Sequence, residues 1–199
     1  MTKTNTAKVI FIGLLMISIA LTTQKIINMK ESENTFTLDA CYEKAYNDIT
    51  ELIQDDNDLI IYGKVIESNT YLEWLGGNIR SIIVTNYTVE IKESLKGTVK
   101  GTVIVHKLGG ELDGRKMSNP EDPFLTVGEE YIMFLKLTPT GHYALRGGPQ
   151  GRFVVQNNVV YSLGEYNNSQ KIQAVTSNLD LNGITLNQFL NQIKGNLSK

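Results

Sequence analysis

What this chain lacks narrows its function before any motif is read. Among 199 residues it has one cysteine, one tryptophan, four prolines and two histidines. A lone Cys41 makes no internal disulfide, so the fold must rest on a hydrophobic core, which this length permits. No CxxC or HExxH pattern occurs, and His106 and His142 have no carboxylates at ligand spacing, so neither metal nor other cofactor is expected. No GxSxG elbow and no serine–lysine arrangement is present, and no catalytic residue is assigned. Basic clusters are missing as well. The formal charge is −2, and a mildly acidic chain without a basic stripe is a poor match for nucleic acid phosphates or anionic lipid.

Long apolar runs are scarce too, with one exception. Lys3 and Lys8 precede an apolar stretch from Val9 to Leu21 that polar Thr22-Thr23-Gln24-Lys25 ends early. A spanning helix needs about 20 apolar residues, so the stretch matches the h-region of a signal peptide, with Ser18 and Ala20 placed for cleavage. The alternative is an uncleaved N-terminal anchor. Either way residues 1–20 mark an exported protein, secreted or held at the outer face of a cell membrane. Loss of Lys3 and Lys8 leaves 17 basic against 21 acidic residues. The wealth of asparagine, isoleucine and lysine points to an AT-rich bacterial source.

Residues 21–37 are polar and unpatterned and read as a tether, leaving 38–199 as a single domain. Leu38, Cys41, Tyr42, Ala45, Ile49, Leu52 and Ile53 recur at three- and four-residue spacing, which predicts a helix ended by Asp55-Asp56-Asn57-Asp58. The period then changes. Strands are expected from Leu59 to Ile66, with Gly63 as a bend, from Ile79 to Leu95, from Thr102 to Leu108 and from Tyr131 to Leu137. Shorter ones are expected at Tyr143–Arg146, Arg152–Gln156 and Val159–Leu163, the last pair joined by an Asn157-Asn158 turn. Thr185 with Gln188 makes a capping box for a closing helix whose stripe is Leu186, Phe189, Leu190, Ile193 and Leu197. Mainly β, five or more strands, a helix before the first strand and one at the C-terminus: this predicts a small OB-like barrel, with a β-sandwich as the other arrangement.

Four motifs occur in order: Asp58–Val65, Tyr87–Gly97, Leu108-Gly109-Gly110 and Gly128–Leu135. With them the chain, over roughly residues 45–160, resembles bacterial exported domains with the OB-fold of tissue inhibitors of metalloproteinases, the netrin-like barrel. The resemblance implies that barrel and an inhibitor-like, partner-binding role. Inhibitors of that family chelate a protease's zinc with an N-terminal cysteine braced by disulfides. Cys41 lies well beyond the expected cleavage point and has no partner cysteine, so the fold carries over and that mechanism does not.

Against this frame the candidate site lies in loops. OB-folds bind through their first loop and the adjoining sheet face, and tryptophan and tyrosine are common interface anchors. Tyr71-Leu72-Glu73-Trp74-Leu75-Gly76-Gly77 therefore predicts a partner-binding loop through Tyr71, Trp74 and Leu75, unless Trp74 folds back to plug the barrel. The long Gly109–Val127 loop supplies an opposing wall, with Arg115 and Phe124. Three other clusters carry less. Asp55, Asp56 and Asp58 lack the spacing and glycine of a calcium loop and read as a solvated helix end. His106 is expected to face outward and His142 to sit in a turn. Gly147-Gly148-Pro149-Gln150-Gly151 lacks the lysine of a phosphate loop and reads as a tight irregular β-turn. The sequence thus predicts an exported, non-catalytic domain that binds a protein or peptide partner at the cell envelope. The competing readings are a hydrolase with a site assembled from loops and an accessory domain that senses an envelope ligand. Membrane contact is expected only through the N-terminal segment, if uncleaved.

Overall fold

The computed structural model describes residues 35–37, 44–74, 81–163, 181 and 183–199. The expected signal or anchor segment, Cys41 and Leu75 lie outside the described residues. No helix among the described residues is long and apolar enough to cross a membrane.

The chain is mainly β. Strand β1 spans Thr35–Thr37 and helix α1 spans Ile49–Gln54. Next come β2 (Leu59–Glu73), β3 (Ile82–Lys96), β4 (Thr102–Leu108), β5 (Gly110–Leu112) and β6 (Arg115–Ser118). Then follow β7 (Glu130–Leu137), β8 (Tyr143–Leu145), a 3-10 turn at Gly148–Gly151, β9 (Arg152–Gln156), β10 (Val159–Ser162) and helix α2 (Leu186–Leu197). Seven strands form one sheet in the order β10-β9-β7-β2-β3-β4-β8, and β1-β6-β5 form a second, small one.

The large sheet curls. Strand β8 meets β4 on one side and β7 on the other. Closure is incomplete, since β4 and β8 share a single parallel register position, Val105 with Tyr143. Strand β2 bends through register shifts at Tyr62/Gly63 and between Val65 and Glu67, as a strand must to serve a curled sheet. Gly63 sits in an ordinary backbone conformation, and what demands glycine is space. A Cβ there would lie 2.7 Å from the Glu90 carbonyl oxygen and 2.8 Å from Val89 Cγ1.

Period-two alternation sorts the apolar residues into two layers. Leu59, Ile61, Tyr87, Val89, Met133 and Leu135 fill the concave interior. Ile60, Ile132, Phe134 and Phe153 face the other way and pack under Leu52 and Ile53 of α1 and Phe189, Leu190 and Ile193 of α2. Strand β7 is buried on both faces, hence its unbroken apolar run. The capping box of Thr185 and Gln188 forms as expected, and Asn157 and Asn158 both take positive φ in the β9–β10 turn.

Four expectations need correction. Of the expected first helix, Leu38, Cys41 and Tyr42 lie outside the described residues, and among those described the helix starts at Ile49, with Asp48 as its N-cap and Ala45 exposed before it. Upstream, Tyr46 gives its N–H to Gln150 Oε1 and takes the Gln150 Nε2 hydrogen on its carbonyl, both at 2.9 Å, so its backbone groups are engaged outside a helix. This helix does not precede the first strand, because Thr35–Thr37, in the expected tether, pair in parallel with β6. Tyr71, Leu72 and Glu73 extend β2 instead of opening a loop, because they pair with Val84, Ile83 and Ile82. The Gly147–Gly151 stretch is a buried 3-10 turn after a left-handed Gly147, not a β-turn.

Candidate functional site

The far end of the β2–β3 ladder carries the most unusual surface residue. Its last pair is Glu73 with Ile82, and Trp74 follows with 68% of its surface exposed. An indole so exposed gains almost none of the burial that stabilises large aromatic side chains in cores. Tyr71 lies on the ladder's outer face, half-buried opposite Val84.

The expected opposing loop is a hairpin. Asp113 and Gly114 both take positive φ and connect β5 to β6, with Leu112 opposite Arg115, the geometry an Asp-Gly pair favours. This hairpin docks on the same end of the ladder. The Thr85 hydroxyl donates to the Gly109 carbonyl at 2.7 Å, and the Thr70 and Thr85 hydroxyls lie 3.0 Å apart. Gly110 has φ 149°, and a Cβ there would sit 2.5 Å from both threonine side chains, so only glycine lets the hairpin approach. Arg115 is exposed on β6, beside exposed Lys116. Phe124 is half-buried and packs on the interior cluster. Thus Trp74 and the Arg115 hairpin share one end of the fold, while Phe124 serves the core rather than the surface.

Two constellations escaped the sequence reading. The first joins the histidines. His106 lies on the outer face of β4 opposite Asn86, as expected, and is half-buried there. Its Nδ1–H donates to Asn86 Oδ1 at 2.9 Å, and its Nε2 lies 3.5 Å from Glu73 Oε2, next to Trp74. His142 stacks on it, with ring centroids 5.7 Å apart and planes within 7°. Burial pushes the His106 pKa below its ordinary value, opposed by the Glu73 carboxylate and reinforced by His142. Parallel pairing of β4 and β8 creates this contact, which residue spacing does not reveal. No group of three His, Cys, Asp or Glu placed to hold a metal occurs among the described residues.

The second is a charged cluster inside the curled sheet. Asp122 Oδ2 accepts from Lys107 Nζ, and Asp122 Oδ1 lies 3.0 Å from Arg152 Nη2, which also donates to the Pro123 carbonyl. Arg152 is 1% exposed. Burial, with the nearby Arg152 charge, lowers the Lys107 pKa to about 8 against the pull of Asp122. The cluster pins the 119–124 segment over the interior, a structural task.

The acidic helix end is likewise structural. Asp55 accepts from Arg146 Nε at 2.8 Å, and that bond holds its carboxyl far below the usual range. Asp56 and Asp58 pair with Lys136, and Asp58 also accepts from the Leu137 N–H at 2.7 Å. An open cleft of about 400 Å³ lies between Tyr62, Glu130, Gln156 and Leu186. No protein-family model matches the chain, and no curated protein matches it in sequence.

Proposed function

We propose that this is an exported, non-catalytic binding domain on an OB-like barrel, inhibitor-like in role, which recognises a protein or peptide partner at the cell envelope. The observation that carries the reading is Trp74, exposed at the end of the β2–β3 ladder beside a docked hairpin. Interface hot spots concentrate in tryptophan, tyrosine and arginine, and Tyr71 and Arg115 belong to the same end. The OB-like barrel is supported by the pairing circuit β2–β3–β4–β8–β7 and back to β2, with β4 and β8 parallel. The kinship to inhibitor barrels rests on the sequence motifs alone. Export rests on the Val9–Leu21 run.

The test is capture from the envelope fraction of the source cells. The wild-type domain should retain a partner that Trp74→Ala, folded to the same melting temperature, retains at least about tenfold less well. Equal retention by both, or hydrolase activity of the pure protein in a broad substrate screen, contradicts the reading.

A further inference from the structure

Strand β6 has two edges. Strand β5 fills one in antiparallel pairing, and β1 fills the other in parallel register, Thr35 with Lys116, Phe36 with Met117 and Thr37 with Ser118. The occupants are unequal. The β5–β6 hairpin is built in, through its Asp113-Gly114 turn and the close seat of Gly110 on Thr70 and Thr85. Strand β1 is three residues long, and all its side chains are exposed, Phe36 at 56%. Its pairing therefore buries little apolar surface, and segments of that kind open at small free-energy cost.

An edge without its neighbour presents a row of N–H and C=O groups, the template on which extended peptides add as a strand. The charges state what kind of peptide fits. Exposed Arg115 and Lys116 stand on β6. The sequence from residue 31 to 43, which contains β1, carries Glu31, Glu33, Asp39 and Glu43 and no basic residue. Opposite charge across a strand pair favours association and fixes register.

We propose that the β6 edge is a strand-acceptor site for an extended, acidic segment of a protein partner, and that Thr35–Thr37 is its built-in occupant, which the partner segment displaces. The inference rests on the partner-binding reading above and names the chemistry of the partner. Backbone pairing to Lys116–Ser118 supplies the affinity, and the neighbouring acids of the segment meet Arg115 and Lys116.

The probe is a labelled synthetic peptide of residues 31–39, Glu-Ser-Glu-Asn-Thr-Phe-Thr-Leu-Asp, with a scrambled peptide as control. Proline removes a backbone donor and leaves a strand pair unmade. Full-length Phe36→Pro and the full-length double variant Thr35→Pro/Thr37→Pro between them cover both donor parities of β1. At least one should bind the peptide about tenfold or more tightly than the wild-type chain, with affinity falling as salt rises. Equal binding by wild type and both variants, or equal binding of the scrambled peptide, overturns the proposal. A second measurement needs no substitution. With a nitroxide label on the peptide, the amide resonances of Lys116, Met117 and Ser118 in the wild-type chain should broaden at saturating peptide, and their constancy overturns the proposal even if both variants misfold. Neither readout involves Trp74. Failure of Trp74→Ala to weaken capture, with peptide binding intact, therefore rejects the Trp74 anchor alone.

Discussion

His106 and His142 stack with their ring planes within 7° of each other, and His106 Nε2 faces the Glu73 carboxylate at 3.5 Å. The contact ties the last residue of β2, immediately before Trp74, to β4 and to the start of β8. Because Nδ1 of His106 donates to Asn86, protonation falls on Nε2 and places charge against the stacked His142 ring as well as Glu73.

That geometry sets a pH dependence. The folded-state pKa of His106 is depressed by burial, so the unfolded chain binds more protons in this window and stability falls with falling pH. The loss begins near the ordinary histidine value of about 6.5 and is complete below the folded value. It precedes the acid losses of Asp55, Asp58 and Glu130, whose pKa values are lowered from the carboxylate range. Urea midpoints measured from pH 7.5 to pH 5.5 should fall in the wild type and flatten in His106→Gln. A flat wild-type profile rules the coupling out.

The buried cluster predicts an asymmetry. Among the described residues Asp122 is the anion that pairs with both Lys107 and Arg152, so Asp122→Ala leaves two buried cations and should destabilise by about 3–5 kcal/mol. Lys107→Met leaves Asp122 paired with Arg152 and removes a charge that burial already disfavours. It should be near neutral or stabilising. Denaturant unfolding of both variants checks this, and similar losses in the two contradict it.

Gly63→Val tests the bend of β2. The new side chain would collide with the Glu90 carbonyl and Val89, neither of which is a flexible chain end. A loss of about 1–3 kcal/mol is expected in urea unfolding. An unchanged midpoint would mean that β2 and β3 do not approach as closely as described.

The proposed export predicts a mature chain that begins near Leu21, because Ser18 and Ala20 are small residues at the spacing a signal-peptide cleavage site requires. N-terminal sequencing of the exported protein decides it. An intact Met1 in the membrane fraction supports the anchor instead.

Legibility in the sequence followed the range of the interactions. Period-two runs such as Thr102–Leu108, the Asn157-Asn158 turn and the Thr185–Gln188 capping box are local, and they form where expected. The Asp113-Gly114 dipeptide is an equally local hairpin signal, but the prolines and length of the Gly109–Val127 span mask it as a single loop. The start of α1 was not readable, because Gln150, distant in sequence, occupies the Tyr46 backbone. The same holds for the site. Trp74 was found by residue type, whereas the His106–His142 stack depends on a β4–β8 neighbourhood that only the sheet order discloses.

The central claim is that Trp74 offers its indole to a partner, and the isolated protein can answer it. Trp74 is the chain's only tryptophan, so its fluorescence reports on that one side chain. An exposed indole gives red-shifted emission that acrylamide quenches nearly as well as free tryptophan, and Trp74→Ala then leaves stability within about 0.5 kcal/mol. Blue-shifted emission resistant to acrylamide, with Trp74→Ala costing about 3–5 kcal/mol, would mean that the indole is packed as a plug, and it would contradict the account.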